Sequence, residues 1–302
     1  MSAAGATPPA SGAAAASAWT VLDLLRWTTH HFAARGIDSA RLDAECLLSH
    51  ALGMERLRLY IEFDKPVNEA ERAVFRDLVR RRAEARIPVS QLVGRKEFWS
   101  LPLRVTSAVL TPRPETETLV AGALDLLPDR EACARVLDVG TGSGALALAI
   151  ARERPGAVIT ATDISGEALK IAQENAEELG MADRIRFLEG DLLEPVRGEC
   201  FDLVVSNPPY LAESARPGLA PELAHEPERA LFAGPDGMAV LRPLAAAVSA
   251  VLSPGAGVAF EIDPDQAARV SASFETAGLG EISVRRDPSG RPRVVSARRA
   301  GG

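Results

Sequence analysis

The sequence predicts an α/β protein in two parts. A small helical bundle comes first, followed by an open, mostly parallel sheet with an antiparallel hairpin at one edge. Three observations predict this. Residues 19–88 carry helix caps and stops with no strand pattern. From about residue 115, short apolar runs alternate with helical ones, the pattern of a parallel sheet with crossover helices. The last two β-like runs are joined by Pro288-Ser289-Gly290, a tight turn, so they pair with each other. A chain of 302 residues also has room for two domains at roughly 150 residues each.

Residues 1–18 are almost all Ala, Ser, Gly and Pro and carry no charge, which predicts a disordered tail and fits no targeting leader. Within 19–88, Thr20 caps a helix with Val21, Leu24, Leu25 and Trp27 that ends at Gly36. Ser39 caps a second with Leu42, Cys46, Leu47 and Leu52, stopped by Gly53. Asn68 caps a third with Val74, Phe75, Leu78 and Val79, stopped by Pro88. Adjacent His30 and His31 point to different faces and make a poor ligand pair. Residues 89–112 read as a β-hairpin linker, with extended runs at Gln91–Val93, Phe98–Trp99 and Leu103–Val105 punctuated by Gly94 and Pro102. In 113–302, strands are expected at Val136–Val139, Val158–Thr162, Ile185–Glu189, Leu203–Ser206 and Gly257–Ile262. Helices are expected at Ala145–Arg152, Ser165–Leu179, Met238–Leu252 and Asp265–Ala277. The closing hairpin joins Glu281–Arg286 to Arg293–Ser296.

Composition excludes several classes. Hydrophobic residues at 47% and charged residues at 25% rule out wholesale disorder and fibrous repeats. A net charge of -7 argues against a chain that lives on nucleic-acid phosphates, so no nucleic-acid partner is expected. Basic clusters exist at Arg80, Arg81, Arg82 and Arg86, and at Arg285, Arg286, Arg291, Arg293, Arg298 and Arg299. Solvated faces are the first reading of them; a surface for a ribonucleoprotein or acidic partner is the second. No apolar run approaches the roughly 18 residues of a membrane span, so no membrane partner is expected. Cys46, Cys133 and Cys200 form neither a metal-site spacing nor a disulfide framework, which predicts a cytoplasmic protein without a metal.

Chemistry concentrates at strand ends. Asp138-Val139-Gly140-Thr141-Gly142-Ser143-Gly144 follows a strand and opens a helix, where free amides and flexible backbone can approach a ligand. Alone it is ambiguous: Gly140, Gly142 and Ala145 also satisfy a dinucleotide fingerprint, so a nicotinamide or flavin cofactor and S-adenosylmethionine both remain open. Asp163, at the next strand end, can accept ribose hydroxyls in either class or cap the helix near Ser165. Asp191, after Gly190, can reach an adenine amine. Acids at successive strand ends suit a cationic ligand without phosphate, which favours S-adenosylmethionine. Asn207-Pro208-Pro209-Tyr210 then follows the strand ending at Ser206. An amide nitrogen is a poor nucleophile because its lone pair is delocalised, so it must be aimed. The Asn207 side-chain oxygen and the Pro208 carbonyl can each accept one N–H of a planar NH2 group, and the prolines hold these acceptors extended. Tyr210 can pack over the flat group.

Through these motifs and others the sequence resembles the release-factor glutamine N5-methyltransferases, the HemK/PrmC family, from about Trp19 to Arg299. The resemblance rests on Asp43-Ala44-Glu45 with Leu47 and Leu48, on Gly94 to Trp99, and on Thr111-Pro112-Arg113-Pro114-Glu115-Thr116-Glu117. It rests also on the glycine loop, Asp163, Asn207 to Tyr210, and His225-Glu226-Pro227 with Ala230-Leu231. It implies a Rossmann-like class I S-adenosylmethionine-dependent methyltransferase fold, a seven-stranded sheet behind a helical domain that docks a peptide chain release factor. It implies methyl transfer to the N5 amide of glutamine in a Gly-Gly-Gln motif. The implied cofactor-binding residues are Gly140, Thr141, Gly142, Ser143, Gly144, Asp163, Asp191, Leu192 and Asn207. Asn207, Pro208, Pro209 and Tyr210 would hold the substrate, with Asn207, Pro208 and Tyr210 catalytic. Leu192 departs from the aromatic that many relatives carry. Glu115 and Glu117 read as helix-capping residues bordering the site. Competing readings are a ribosomal-protein glutamine methyltransferase, a nucleic-acid adenine-N6 methyltransferase, and a non-catalytic cofactor-binding protein.

Overall fold

The computed structural model describes residues 19–301, and the chain divides into two compact units, Met1–Val89 and Ser90–Gly302. The tail expected at 1–18 lies outside the described residues.

The first unit holds α1 (Val21–Ala33), α2 (Ala40–Leu52), α3 (Arg56–Ile61) and α4 (Glu69–Ala85). Thr20 and Asn68 each form a reciprocal capping box, with Asp23 and Glu71 respectively. Gly53 ends α2 in the left-handed region at φ 60°. Ser39 occupies the cap position of α2, but its hydroxyl donates to Asp43 Oδ1 at 2.8 Å rather than accepting from the backbone. A carboxylate one turn on is the stronger partner. The stop at α4 comes before Pro88: the helix ends at Ala85, and Arg86 turns left-handed at φ 58°. Helix α3 has six residues and no side-chain cap bond, so it left no signal in the sequence pattern. Asp43 Oδ2 accepts from Arg82 Nε at 2.7 Å, and both side chains are nearly buried.

Next comes α5 (Val89–Val93), where the sequence reading expected extended chain over Gln91–Val93. Pro88 in front and Gly94 behind, left-handed at φ 74°, favour one helical turn instead. Strands β1 (Arg95–Phe98) and β2 (Leu101–Arg104) form the antiparallel hairpin. Trp99, expected in the strand, is in the turn: Trp99 and Ser100 both have positive φ, 51° and 55°. That is the twist a two-residue hairpin turn needs, and these residue types do not advertise it. Pro102 sits inside β2 opposite Glu97; a two-stranded ribbon tolerates it, since alternate residues carry no ladder N–H.

The remaining elements are α6 (Glu117–Leu126), β3 (Arg135–Val139), α7 (Ala145–Glu153), β4 (Val158–Asp163), α8 (Gly166–Glu178), β5 (Ile185–Glu189) and β6 (Phe201–Ser206). Then follow α9 (Glu228–Leu231), α10 (Leu241–Ala247), β7 (Leu252–Glu261), α11 (Ala267–Thr276), β8 (Leu279–Arg286) and β9 (Pro292–Arg299). The helix expected over Met238–Leu252 is shorter than that span. It passes into a 3₁₀ turn at Val248–Val251, and Leu252 pairs with Phe201 in the sheet.

The seven strands run in the order β5-β4-β3-β6-β7-β9-β8. The first five in that order are parallel, and β9 lies antiparallel between β7 and β8. Strand residues alternate between two cores, as pleating requires. Val136, Ile159, Leu203 and Val205 pack with α6 and α7 on one face. Leu137, Val139, Val204, Val258 and Phe260 pack with α10 and α11 on the other. The order reverses between neighbours β3 and β6, so a crevice opens at their carboxyl ends. Among the basic clusters, Arg80 pairs with Asp77 at 2.7 Å, Arg293 with Asp287 at 3.2 Å, and Arg285 with Asp125. Solvated faces describe Arg80 and Arg285, whereas Arg82 and Arg293 are largely buried in their ion pairs. Among the described residues no helix is long and apolar enough to cross a membrane.

Removing one partner of the Asp43–Arg82 pair strands a buried charge. Asp43→Ala is expected to destabilise the first unit by about 3 kcal/mol, measured by urea unfolding followed through tryptophan fluorescence. A loss below about 1 kcal/mol would show that the pair does not hold α2 to α4.

Candidate active site

The loop between β3 and α7 is shaped from within. Asp138, on β3, is fully buried and turns its Oδ2 to the Thr141 hydroxyl at 2.7 Å and the Ala147 amide at 3.2 Å. Burial pushes its carboxyl up to about 7, opposed by those two hydrogen bonds. The amides of Gly140 and Thr141 both donate to the Thr162 carbonyl on β4, at 2.8 and 2.9 Å. Gly144 is the position that only glycine fits: its φ is +82°, and a Cβ there would stand 3.2 Å from that of Ala172 on α8. The Ser143 carbonyl accepts from Asn175 Nδ2 at 2.8 Å. Asn175 is 1% exposed and also brackets β2, taking the Arg104 amide at 2.7 Å and giving to the Arg104 carbonyl at 3.1 Å.

A cavity of about 910 Å³ lies against this loop. Gly140, Thr141, Gly142, Ser143, Asp163, Asp191, Leu192, Asn207, Pro208 and Pro209 line it. The structure thus brings together nearly every expected site residue. Two are set back. Gly144 turns into α7 behind the loop, and Tyr210 packs on the core of the second face. The acids are not equivalent either. Asp163 and Asp191 line the cavity, whereas Asp138 is spent on the loop. Asp163 Oδ2 accepts the Gly142 amide and Oδ1 the Ser165 amide, both at 2.9 Å. Burial raises its carboxyl, those amides and the nearby Arg229 guanidinium lower it, and burial prevails. The helix cap is Ser165, not Asp163: its side chain takes the Ala168 amide at 3.3 Å. Leu192 is held at φ 47°, an unfavourable conformation for a leucine.

Asn207 follows β6 directly, and Ser206 Oγ donates to the Val139 carbonyl at 2.7 Å, stitching the ends of β6 and β3 together. Asn207 Nδ2 donates to Thr116 Oγ1 at 3.2 Å. That commits the nitrogen end of the amide and leaves its oxygen as the end turned from Thr116. The Tyr210 hydroxyl donates to Glu261 Oε1 at 3.3 Å, and burial followed by this carboxylate raises the phenol. The Tyr210 carbonyl accepts from Gln266 Nε2 at 2.9 Å, and the same nitrogen serves the Gly237 carbonyl at 2.9 Å. Gly237 permits this closeness: a Cβ there would meet the Tyr210 carbonyl oxygen at 2.3 Å.

Sequence reasoning missed Thr116 as a partner, along with Asn175, Glu261 and Gln266. Each is buried and polar, a combination visible only once burial is known. It also misread Glu117, which starts α6 but accepts the Trp99 amide at 3.1 Å instead of capping. Arg113 pairs with Glu226 at 2.6 Å, with side-chain exposures of 35% and 1%. That joins the Thr111–Glu117 stretch to His225-Glu226-Pro227. Among the described residues no cluster of His, Cys, Asp and Glu could hold a metal.

A reversed parallel sheet of this order, with a glycine loop and Asn-Pro-Pro-Tyr at its two central strand ends, is a class I S-adenosylmethionine-dependent methyltransferase fold. Residues 121–243 match the methyltransferase small domain, and residues 23–94 match the PrmC N-terminal domain. The release factor glutamine methyltransferase of Rhodopirellula baltica is 44% identical over 93% of this chain and 97% of its own length. That of Deinococcus radiodurans is 44% identical over 93% and 99%. The chain belongs to the release factor glutamine methyltransferase family. Among solved structures, the hMettl16 catalytic domain in complex with a MAT2A 3′UTR hairpin shares the fold, with a TM-score of 0.54 and 14% identity over 67% of this chain and 76% of that one.

Asp138 is protonated more readily in the folded chain, about 7, than in an unfolded one, about 4. Its contribution to stability is therefore complete below pH 4 and lost as pH rises to 7. In Asp138→Asn the amide oxygen can accept the same two bonds. The stability of the wild type relative to this variant is expected to fall between pH 4 and 7 and stay level above, read from urea midpoints. A constant difference across that range would reassign the group.

Proposed function

We propose that this chain transfers a methyl group from S-adenosylmethionine to the side-chain amide N5 of the glutamine in the Gly-Gly-Gln motif of peptide chain release factors. The observation that carries the reading is the Asn207 amide. Its nitrogen is committed to Thr116, so its oxygen is the free acceptor, and it shares one cavity with the glycine loop and Asp163. The names of the relatives point to the same substrate class.

The cavity fits the cofactor. Its acids, Asp163, Glu167 and Asp191, outnumber its one arginine, Arg229, a balance that would repel a pyrophosphate and suit a cationic ligand with ribose and adenine. Gly140, Thr141, Gly142, Ser143, Asp163, Asp191 and Leu192 would hold it, with Asn207 alongside and Gly144 shaping the loop from behind. Bound there, S-adenosylmethionine supplies an electrophilic methyl group. The chain's own task is orientation. Asn207 Oδ1 and the Pro208 carbonyl accept the two N–H bonds of a flat carboxamide and favour positive charge growing on its nitrogen. Pro209 keeps these acceptors extended. Tyr210 serves from behind, through its carbonyl and hydroxyl partners. Fixed dipoles and alignment account for the acceleration without a nucleophilic side chain.

Incubation with labelled S-adenosylmethionine and purified release factor, followed by mass mapping, is expected to place the label on the Gly-Gly-Gln glutamine. Label elsewhere, or on nucleic acid, would overturn the reading. Asn207→Ala should lower turnover at least about a hundredfold while cofactor binding changes little. Near-normal turnover would remove Asn207 from the chemistry. Asp163→Ala should weaken S-adenosylmethionine binding by several-fold to about a hundredfold, roughly 1–3 kcal/mol. Unchanged binding by calorimetry would remove Asp163 from the cofactor site.

A further inference from the structure

Three stretches of chain meet at the Asn207 end of the cavity. Arg113 to Thr116 leads into α6, Asn207 to Leu211 follows β6, and Glu226 to Phe232 carries α9. Each is tied to the next. Asn207 Nδ2 donates to Thr116 Oγ1 at 3.2 Å. The Leu211 amide donates to the Leu231 carbonyl and the Leu211 carbonyl accepts from the Ala233 amide, both at 2.9 Å, so that Leu211 and Phe232 form a parallel bridge. Arg113 Nη2 donates to Glu226 Oε2 at 2.6 Å. These links close a ring. It runs from Arg113 to Thr116, across to Asn207, on to Leu211, across to Phe232, and back through α9 to Glu226 and Arg113. Pro112, Thr116, Asn207, Pro227, Ala230 and Phe232, on or beside the ring, line the cavity.

The links differ in kind. The Leu211 bridge is backbone, and the bond from Asn207 to Thr116 joins neutral groups. Only the link between Arg113 and Glu226 is charged, and it alone sits behind the wall. Neither residue lines the cavity, but their neighbours Pro112 and Pro227 do. The Glu226 side chain is 1% exposed, and its second oxygen, Oε1, is buried with no partner among the described residues. The carboxylate therefore depends on the Arg113 guanidinium for compensation. An ion left alone in such a place is strongly unfavourable, so without Arg113 the carboxylate moves toward water or takes up a proton. Movement carries Pro227 with it. Gln91 Nε2 donates to the His225 carbonyl at 2.9 Å, which tethers the preceding residue but leaves the charge unanswered.

Two acceptors at Asn207 and Pro208 fix how an NH2 group is turned. They do not fix the path of the side chain and backbone behind it. That path is set by the walls it passes. We infer that Arg113 and Glu226 are positioning residues: their buried ion pair closes a ring of chain beside Asn207 and holds the wall from Pro227 to Phe232 where the substrate glutamine enters. The inference rests on the function proposed above and adds to it the residues that shape the entrance. The glycine loop, Asp163 and Asp191 stand at the ends of β3, β4 and β5, outside the ring.

The test uses the full chain, S-adenosylmethionine and a purified release factor, with Asn207→Ala as reference. Arg113→Ala is expected to raise KM for the release factor at least about tenfold, with kcat and calorimetric S-adenosylmethionine affinity within about twofold of wild type. A loosened fold would instead reduce the active fraction, and so kcat, at unchanged KM. Adding Glu226→Gln to Arg113→Ala removes the stranded charge, so the double variant should recover most of the lost KM. An Arg113→Ala enzyme whose KM stays within about twofold of wild type overturns the proposal. So does a double variant no better than Arg113→Ala, since Arg113 would then act on the ligand itself. A parallel loss of S-adenosylmethionine affinity also overturns it, making the pair a prop of the whole domain. If Asn207→Ala itself retains turnover, the functional reading fails first. If Asn207→Ala is inactive while Arg113→Ala is normal, that reading stands and the ring alone falls.

Discussion

The parallel pairing of β3 with β6 is the constraint on which the site depends. Val139 lies opposite Ser206, and the Ser206 hydroxyl closes the pair onto the Val139 carbonyl. One residue beyond each partner, the chain leaves the sheet as the glycine loop and as Asn207. Residues far apart in sequence thus emerge side by side at a sheet edge where neighbouring crossovers diverge. The pairing also fixes which faces are buried. A slip of one residue would exchange the two cores and take Asn207 out of line with the loop.

Buried charge is the second theme. Asp138 and Glu261 are acids that an apolar surrounding pushes toward neutrality, each offset by hydroxyl or amide donors. Neither lines the cavity. Asp138 shapes the loop from beneath, and Glu261 reaches Tyr210 from the far side. Thr141, which lines the cavity, and Tyr210, set back behind it, are therefore each held by a carboxylate one layer deeper. In a low-dielectric surrounding such contacts are stronger and more directional than at the surface.

Much of this architecture was legible in the sequence. The alternation after residue 115 revealed the sheet, because buried parallel strands are short apolar runs and crossover helices are amphipathic. The glycine loop, Asp163 and Asn207 were legible because their chemistry is local. What stayed hidden was tertiary. The turn at Trp99 and Ser100 demands positive φ from residues that rarely adopt it. Gln91–Val93 is helical because of its boundaries rather than its side chains. The roles of Asn175, Gln266 and Glu261 exist only once distant segments meet. Tyr210 was expected to pack over the flat group; it packs, partly buried, against the second core with its hydroxyl on an acid, and that partner was not legible.

Asn175 has one more consequence. A single carboxamide touches both the Ser143 carbonyl in the glycine loop and the backbone of Arg104 in the hairpin. The Arg104 N–H, bound to Asn175 Oδ1 at 2.7 Å, is consequently a remote gauge of that loop. Its hydrogen–deuterium exchange rate follows how firmly Asn175 is held, so a probe on the hairpin reads loop tightening without entering the cavity.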